Sequence, residues 1–136
     1  MSSITYHDNR IISAEQFVDV LDRSTLARRR PVHDEGRISR MLKHANILIT
    51  AWDGEKLVGV SRALSDFSYC CYLSDLAVDV HYQKQGIGKE LIQRTRDIAG
   101  ENASLILLAA PDAVEYYPKI GMENFNDCFI IRRKSS

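Results

Sequence analysis

The residues best placed to do chemistry lie in one run, Val78-Asp-Val-His-Tyr-Gln-Lys-Gln-Gly-Ile-Gly-Lys-Glu-Leu91. A strand ends near Val80, a short polar connection follows, and Gly86 and Gly88 open an amphipathic helix. Glycine there lets the backbone approach a ligand closely, because no Cβ stands in the way. The N–H groups of the first helical turn have no partner within the helix and carry partial positive charge, which suits a pyrophosphate. Lys84 and Lys89 add charge nearby. Each helix-end contact is worth only about 0.3–1 kcal/mol when exposed, so several must act together. Two nucleotide motifs are excluded. Leu91 stands where a dinucleotide fingerprint needs its third glycine, and no Gly-Lys-Ser/Thr follows an earlier glycine at phosphate-loop spacing.

Other side chains have chemical potential but a simpler explanation. Cys70-Cys71 could carry an acyl group if one thiol were activated. Adjacent strand residues point to opposite faces, and no charged neighbour in sequence would lower either pKa. Two small strand residues are the simpler reading, and Cys128 reads as ordinary packing. Arg28-Arg29-Arg30 is either a solvated basic loop or a clamp for a carboxylate or phosphate, which guanidinium groups suit. Phe67, Tyr69 and Tyr72 either line an aromatic pocket or fill the sheet.

Three segments carry a family resemblance in the right order. Gln83-Lys84-Gln85-Gly86-Ile87-Gly88 is similar to the Gln/Arg-x-x-Gly-x-Gly/Ala signature of the GCN5-related N-acetyltransferases. Leu76-Ala77-Val78 resembles the Leu-Ala-Val strand that leads into that signature. Tyr116-Tyr117-Pro118-Lys119-Ile120-Gly121-Met122 is similar to the family's Phe-Tyr-Glu-Lys-Leu-Gly-Phe segment. The matches span Tyr72 to about Phe125, and the N-terminal half carries no matching motif.

The resemblance implies a cleft for acetyl-coenzyme A, used as co-substrate with no metal. The pantetheine arm would pair with the backbone of Leu76, Ala77 and Val78. A backbone N–H there would polarise the thioester carbonyl. Gln83 and Lys84 lead into the signature, and the amides of Gln85, Gly86, Ile87, Gly88 and Lys89 would hold the pyrophosphate. Tyr117 matches the family's frequent tyrosine acid, which protonates the departing sulfur. Tyr116 lies about 100° away around a helix and is expected in the core. Pro118 and Met122 depart from the family's Glu and Phe, and Pro118 is expected to close the helix early. The base is less legible. Asp75 could relay a proton through water, with Asp66 and His81 as other candidates.

These groups need a scaffold. Ser13-Ala-Glu-Gln16 reads as a capping box before Phe17, Val20 and Leu21 at helical spacing, and Asp34 can cap a second helix carrying Ile38 and Leu42. Ile47–Trp52 and Lys56–Leu64 flank Asp53-Gly54, a hairpin signal. Tyr72–Val80, a helix over Gly86–Ala99 and Leu105–Ala110 form one βαβ unit with a right-handed crossover. Leu105–Ala110 is continuously apolar, as for a strand covered on both faces. A short helix from Asp112 through Tyr117 and a last strand at Cys128–Arg132 follow. The fold class is α/β (α+β): a mixed, mostly antiparallel twisted sheet with a central parallel pair and flanking helices.

At 136 residues the chain suits a single domain over 1–136, and 45% hydrophobic residues are enough for a core. Lys plus Arg and Asp plus Glu are 18 each, so no global field favours nucleic acid or an anionic membrane. The polar start Met1–Arg10 predicts neither signal peptide nor anchor, and an odd cysteine count fits a reducing cytoplasm. The expectation is an N-acetyltransferase acting on a small-molecule amine by direct attack, as a homodimer. A sensor that binds acyl-coenzyme A without turnover, and a toxin-type enzyme acting on charged tRNA, are the alternatives.

Overall fold

Helix α1 (Ala14–Ser24) starts where the sequence predicts. The Ser13 hydroxyl accepts from the Gln16 N–H, and the Gln16 side chain accepts from the Ser13 N–H. Its buried face is Phe17, Val20 and Leu21. Helix α2 (Glu35–His44) is capped by Asp34, whose carboxylate accepts from the Arg37 N–H, and it buries Ile38. The computed structural model describes residues 3–134. Strands β1 (Ile4–His7), β2 (Ile47–Asp53), β3 (Lys56–Ser65), β4 (Cys70–Val78) and β5 (Ser104–Leu107) form one sheet in chain order. Helix α3 (Ile87–Ala99) joins β4 to β5, and α4 (Tyr116–Lys119) follows.

The sheet is covered on both faces, which gives two cores. On one side α3 lays Ile87, Leu91 and Ile92 on Ile49, Val58 and Leu73. On the other, α1 and α2 pack Phe17, Leu21 and Ile38 against Trp52, Val60 and Ala77. Alternation along the strands sends successive residues to opposite cores. Thr95 and Ala99 complete the buried face of α3, while Ile98 is exposed.

The feature that makes a site is where β4 and β5 part. They pair in parallel only from Cys70↔Ser104 to Leu73↔Leu107. On its other side β4 stays paired with β3 as far as Gly59↔Val78. The register shifts between Arg62↔Asp75 and Ala63↔Leu73, so Ser74 is the extra residue of a bulge. A bulge bends its strand and increases local twist. From Ser74 to Val78 the edge of β4 facing β5 is therefore open.

Three expectations are corrected. The strand expected over Leu105–Ala110 ends at Leu107, because β4 has left and offers no ladder. It is also not covered on both faces: Ile106 and Leu108 are half exposed. The expected helix from Asp112 becomes a 3₁₀ turn (Pro111–Ala113) and then α4, which contains Pro118. Proline is tolerated there because a first-turn N–H needs no partner. Finally, Cys128–Arg132 forms no strand. The parallel pair consequently stands at one edge of the sheet.

Candidate active site

A cleft of about 570 Å³ opens where the two strands diverge. Leu76, Ala77 and Val78 form one wall with Gln83, while Leu107 and Tyr117 line the other. Arg28, Arg29 and Arg30, from the segment after α1, stand at the same cleft. A second groove of similar volume lies between α1 and α2 and contains none of the candidate catalytic or cofactor-binding residues.

At the end of the open β4 edge the chain makes the glycine turn. Val80–Tyr82 is a 3₁₀ turn, and the Gln83 side-chain amide reaches back to the Val78 carbonyl at 3.1 Å. Lys84 and Gly86 adopt left-handed backbone conformations, φ +66° and +83°. Gly86 is the N-cap of α3 and offers no side-chain acceptor to the helix. The first bond within α3 runs from the Glu90 N–H to the Gly86 carbonyl at 3.0 Å. The amides of Ile87, Gly88 and Lys89 precede it and are the unpaired donors of a helix start. Tyr116 lies directly over this turn: a Cβ on Gly88 would be 3.0 Å from the Tyr116 hydroxyl oxygen. Tyr116 is thus not the core residue expected, but a half-buried ring at the start of α3.

The turn is held by residues the sequence reading missed. Asp79 is buried, caps the His81 N–H at 2.8 Å, and receives Arg23 of α1 at 2.6 Å. Arg23 also donates to the Leu57 carbonyl at 2.7 Å, and the Tyr82 hydroxyl donates to Asp53 at 2.6 Å. Burial opposes ionisation of Asp79, but the His81 amide, Arg23 and Lys56 outweigh it and hold the carboxyl below its ordinary 3.8. A carboxyl depressed in the fold stabilises above its unfolded pKa, and the contribution is lost as pH falls through the folded value. Asp79→Asn is therefore expected to lower the melting temperature at pH 7. That deficit should shrink as the pH of the melting experiment is taken below 3.8, where the wild type loses the same contribution.

Asp75 sits at the bulge with no exposed surface. One carboxylate oxygen accepts from the Arg30 guanidinium and the other from that of Arg62. Both arginines also reach Ser74: Arg30 donates to its carbonyl at 2.7 Å and Arg62 to its hydroxyl at 2.9 Å. Of the three loop arginines, Arg30 is therefore tied to the sheet, while Arg28 and Arg29 are exposed. Tyr117 is partly buried against the α3 core and stacks edge-on to Tyr116, with ring centroids 5.2 Å apart. Burial, with a smaller push from Tyr116, raises the Tyr117 pKa above its usual 10. Its hydroxyl therefore holds its proton across the physiological range.

Residues 8–130 match the family model described as an acetyltransferase (GNAT) domain. The chain belongs to the GNAT family. It is 35% identical over 82 residues to GCN5-related N-acetyltransferase 2, chloroplastic, of Arabidopsis thaliana, covering 52% of this chain and 30% of that protein. Over 93 residues it is 32% identical to an uncharacterized N-acetyltransferase of Pyropia yezoensis, covering 62% and 52%. The matches thus span about a third to a half of those relatives. Among solved structures, a GNAT-family acetyltransferase of Streptococcus pneumoniae superposes with a TM-score of 0.70 at 23% identity, covering 98% of this chain and all of that one. An aminoglycoside acetyltransferase from an uncultured soil sample superposes at 0.70 with 20% identity, covering 96% and 97%. At these identities the likeness is one of fold.

The GNAT domain leaves several other candidates outside the cleft. Cys71 is buried among apolar side chains, and burial pushes its thiol pKa up. Cys70 is exposed and lies at the start of β4, four residues before the strands part. Neither cysteine lines the cleft, and neither do Phe67, Tyr69 or Tyr72. Asp66 closes the β3–β4 turn instead: its carboxylate accepts from the amides of Ser68, Tyr69 and Cys70, which lower its pKa to about 2. Among the described residues, no helix is long and apolar enough to cross a membrane.

Proposed function

We propose that this GNAT domain transfers the acetyl group of acetyl-coenzyme A to an amine by direct attack in a ternary complex. The observation that carries the reading is the open β4 edge, Ser74–Val78, ending at the uncapped start of α3 with Tyr117 on the facing wall. An extended amide-bearing arm can add to such an edge as a strand would. The backbone of Leu76, Ala77 and Val78 supplies the donors and acceptors for it. The amides of Ile87, Gly88 and Lys89 suit the pyrophosphate, with Lys84 and Lys89 contributing charge. The amine nitrogen attacks the thioester carbon, and the carbon–sulfur bond breaks. Tyr117 gives its proton to the leaving sulfur, and the nitrogen loses one to water. We assign Asp75 to positioning: it locks Arg30 and Arg62 around the bulge that opens the edge. Ordered water then serves as the base.

Arg28 and Arg29 at the mouth disfavour a polycationic acceptor and favour a small amine that also carries a carboxylate or phosphate. The two cores share one sheet, which supports reading residues 1–136 as one domain. The deciding experiment compares wild type with Tyr117→Phe on a panel of small amines. Loss of about 100-fold in kcat, with KM for acetyl-coenzyme A little changed, is expected for a general acid. The wild-type rate should fall at alkaline pH only above 10, in the direction that burial moves this hydroxyl. Coenzyme binding with no acceptor acetylated would favour the sensor reading. Equal kcat in the two proteins would remove Tyr117 as the acid.

A further inference from the structure

The hydroxyl of Tyr116 is held in place without a partner. It lies over the start of α3, 3.0 Å from where a Cβ on Gly88 would stand, and among the described residues it takes part in no hydrogen bond. We propose that this hydroxyl donates to the pyrophosphate of the acetyl donor, so that Tyr116 favours the full coenzyme over a donor that ends at pantetheine. The inference rests on the acetyl-coenzyme A reading and adds a side-chain ligand to it.

The aim of the ring follows from the short helix that carries it. α4 is a single turn, closed by the Ile120 and Met122 N–H groups, which both donate to the Tyr117 carbonyl, at 3.2 and 3.1 Å. Its two tyrosines diverge, as consecutive residues about 100° apart on a helix must. Tyr117 turns to the cleft wall, and Tyr116 turns to the glycine turn at the end of the open β4 edge. The rings still touch, with their planes at 74° and centroids 5.2 Å apart, so Tyr117 braces Tyr116 over α3. Val78, the last residue of β4, stands on the same side of Gly88, with its Cγ2 3.9 Å from that Cβ position. The end of β4, the first turn of α3 and the Tyr116 hydroxyl therefore meet around Gly88.

The groups that meet there can all donate. The amides of Ile87, Gly88 and Lys89 precede the first bond within α3, and Lys84 and Lys89 are exposed cations. The acid of that first turn, Glu90, is engaged by Arg94 one turn further along, at 2.8 Å. A hydroxyl can also accept, and Tyr116 could have capped the helix by taking one of these amides, but among the described residues no such bond forms. What satisfies the amides and the O–H together is an acceptor-only group with several oxygens, which describes a pyrophosphate. Burial raises the Tyr116 pKa above its usual 10, so the O–H keeps its proton at neutral pH. Packing alone does not call for the oxygen. In the Phe-Tyr-Glu-Lys-Leu-Gly-Phe segment that Tyr116–Met122 resembles, this place is phenylalanine, which offers the same ring without the donor.

The test compares the wild-type chain with Tyr116→Phe and needs no acceptor. Coenzyme A and dephospho-coenzyme A are titrated by calorimetry, and pantetheine, a weaker ligand, by amide chemical shifts. Loss of one hydrogen bond to a charged group at a half-exposed site gives an expected fall of ~10-fold in affinity for coenzyme A. Dephospho-coenzyme A keeps the pyrophosphate and should lose the same factor. Pantetheine has no phosphate and should bind both proteins alike. Melting temperatures should coincide, since the hydroxyl has no partner in the unliganded protein among the described residues. Equal affinity of the two proteins for coenzyme A would overturn the proposal. An equal loss for pantetheine would do so too, because the hydroxyl would then serve the arm or the fold. A loss with coenzyme A but not with its dephospho form would move the contact to the 3′-phosphate and remove the pyrophosphate assignment. A wild type that binds none of the three would sink the acetyl-coenzyme A reading itself, which stands if wild type and variant bind coenzyme A equally well.

Discussion

Asp75→Ala is expected to lower stability by about 3–5 kcal/mol, the usual cost of leaving buried charge without its partner. For a domain of this size that corresponds to a fall in melting temperature of roughly 10–20 °C, read by thermal denaturation. The carboxylate is fully buried, and each of its oxygens holds one guanidinium. The Arg62 side chain is only 8% exposed, and it also donates to the Met41 carbonyl at 3.2 Å. Removing Asp75 strands both cations at the bulge that parts β4 from β5, so the cleft should loosen with the fold. Asp75→Asn keeps the shape but not the charge and is expected to fall between wild type and alanine. A general base would behave differently, giving a stable protein with a reduced kcat. An Asp75→Ala protein that melts with the wild type and has lost turnover would return Asp75 to the role of base.

That contrast also marks what was legible in the sequence. The glycine turn could be read because its logic is local: a strand, two glycines and a helix lie within Val78–Leu91. The α1 capping box and the Asp53-Gly54 hairpin were readable for the same reason. Asp75 reads from the sequence as a candidate base because its partners are 45 and 13 residues away, and only the sheet register brings Arg62 opposite it. Arg23 and Asp79 are 56 residues apart and equally hidden, although Asp79 before a short turn was a readable capping signal. The apolar run Leu105–Ala110 predicted a strand longer than the ladder allows, because local composition does not say where a neighbouring strand departs. Phe129–Ile131 shows the same limit from the other side: strand propensity alone supplies no partner.

Gly86→Val is expected to weaken coenzyme A binding about 100-fold by calorimetry, with a smaller loss in thermal stability. Gly86 has φ +83°, and a Cβ there would meet nothing within 4 Å, so the penalty is one of backbone conformation rather than crowding. A left-handed conformation costs an L-residue about 1–2 kcal/mol, and a branched Cβ makes it worse. The chain can escape by rotating Gly86 out of that region, which re-aims the amides at the start of α3. Losing one or two hydrogen bonds to a charged group, at about 1.5–3 kcal/mol each, gives the expected fall, since 1.4 kcal/mol is tenfold. At Gly88 the limit is space instead of backbone conformation. A Cβ would sit 3.0 Å from the Tyr116 hydroxyl oxygen, the far end of a half-buried ring. Gly88→Ala should therefore be absorbed by a small movement of Tyr116, with affinity changed only a few-fold. Gly88→Val should drive that ring off the helix start and bind nearly as poorly as Gly86→Val. If both valine variants bind coenzyme A as the wild type does, the pyrophosphate does not rest on α3 and the placement of the donor along β4 falls with it. If both lose affinity while Gly88→Ala keeps it, conformation and clearance at this turn set the affinity for the acetyl donor.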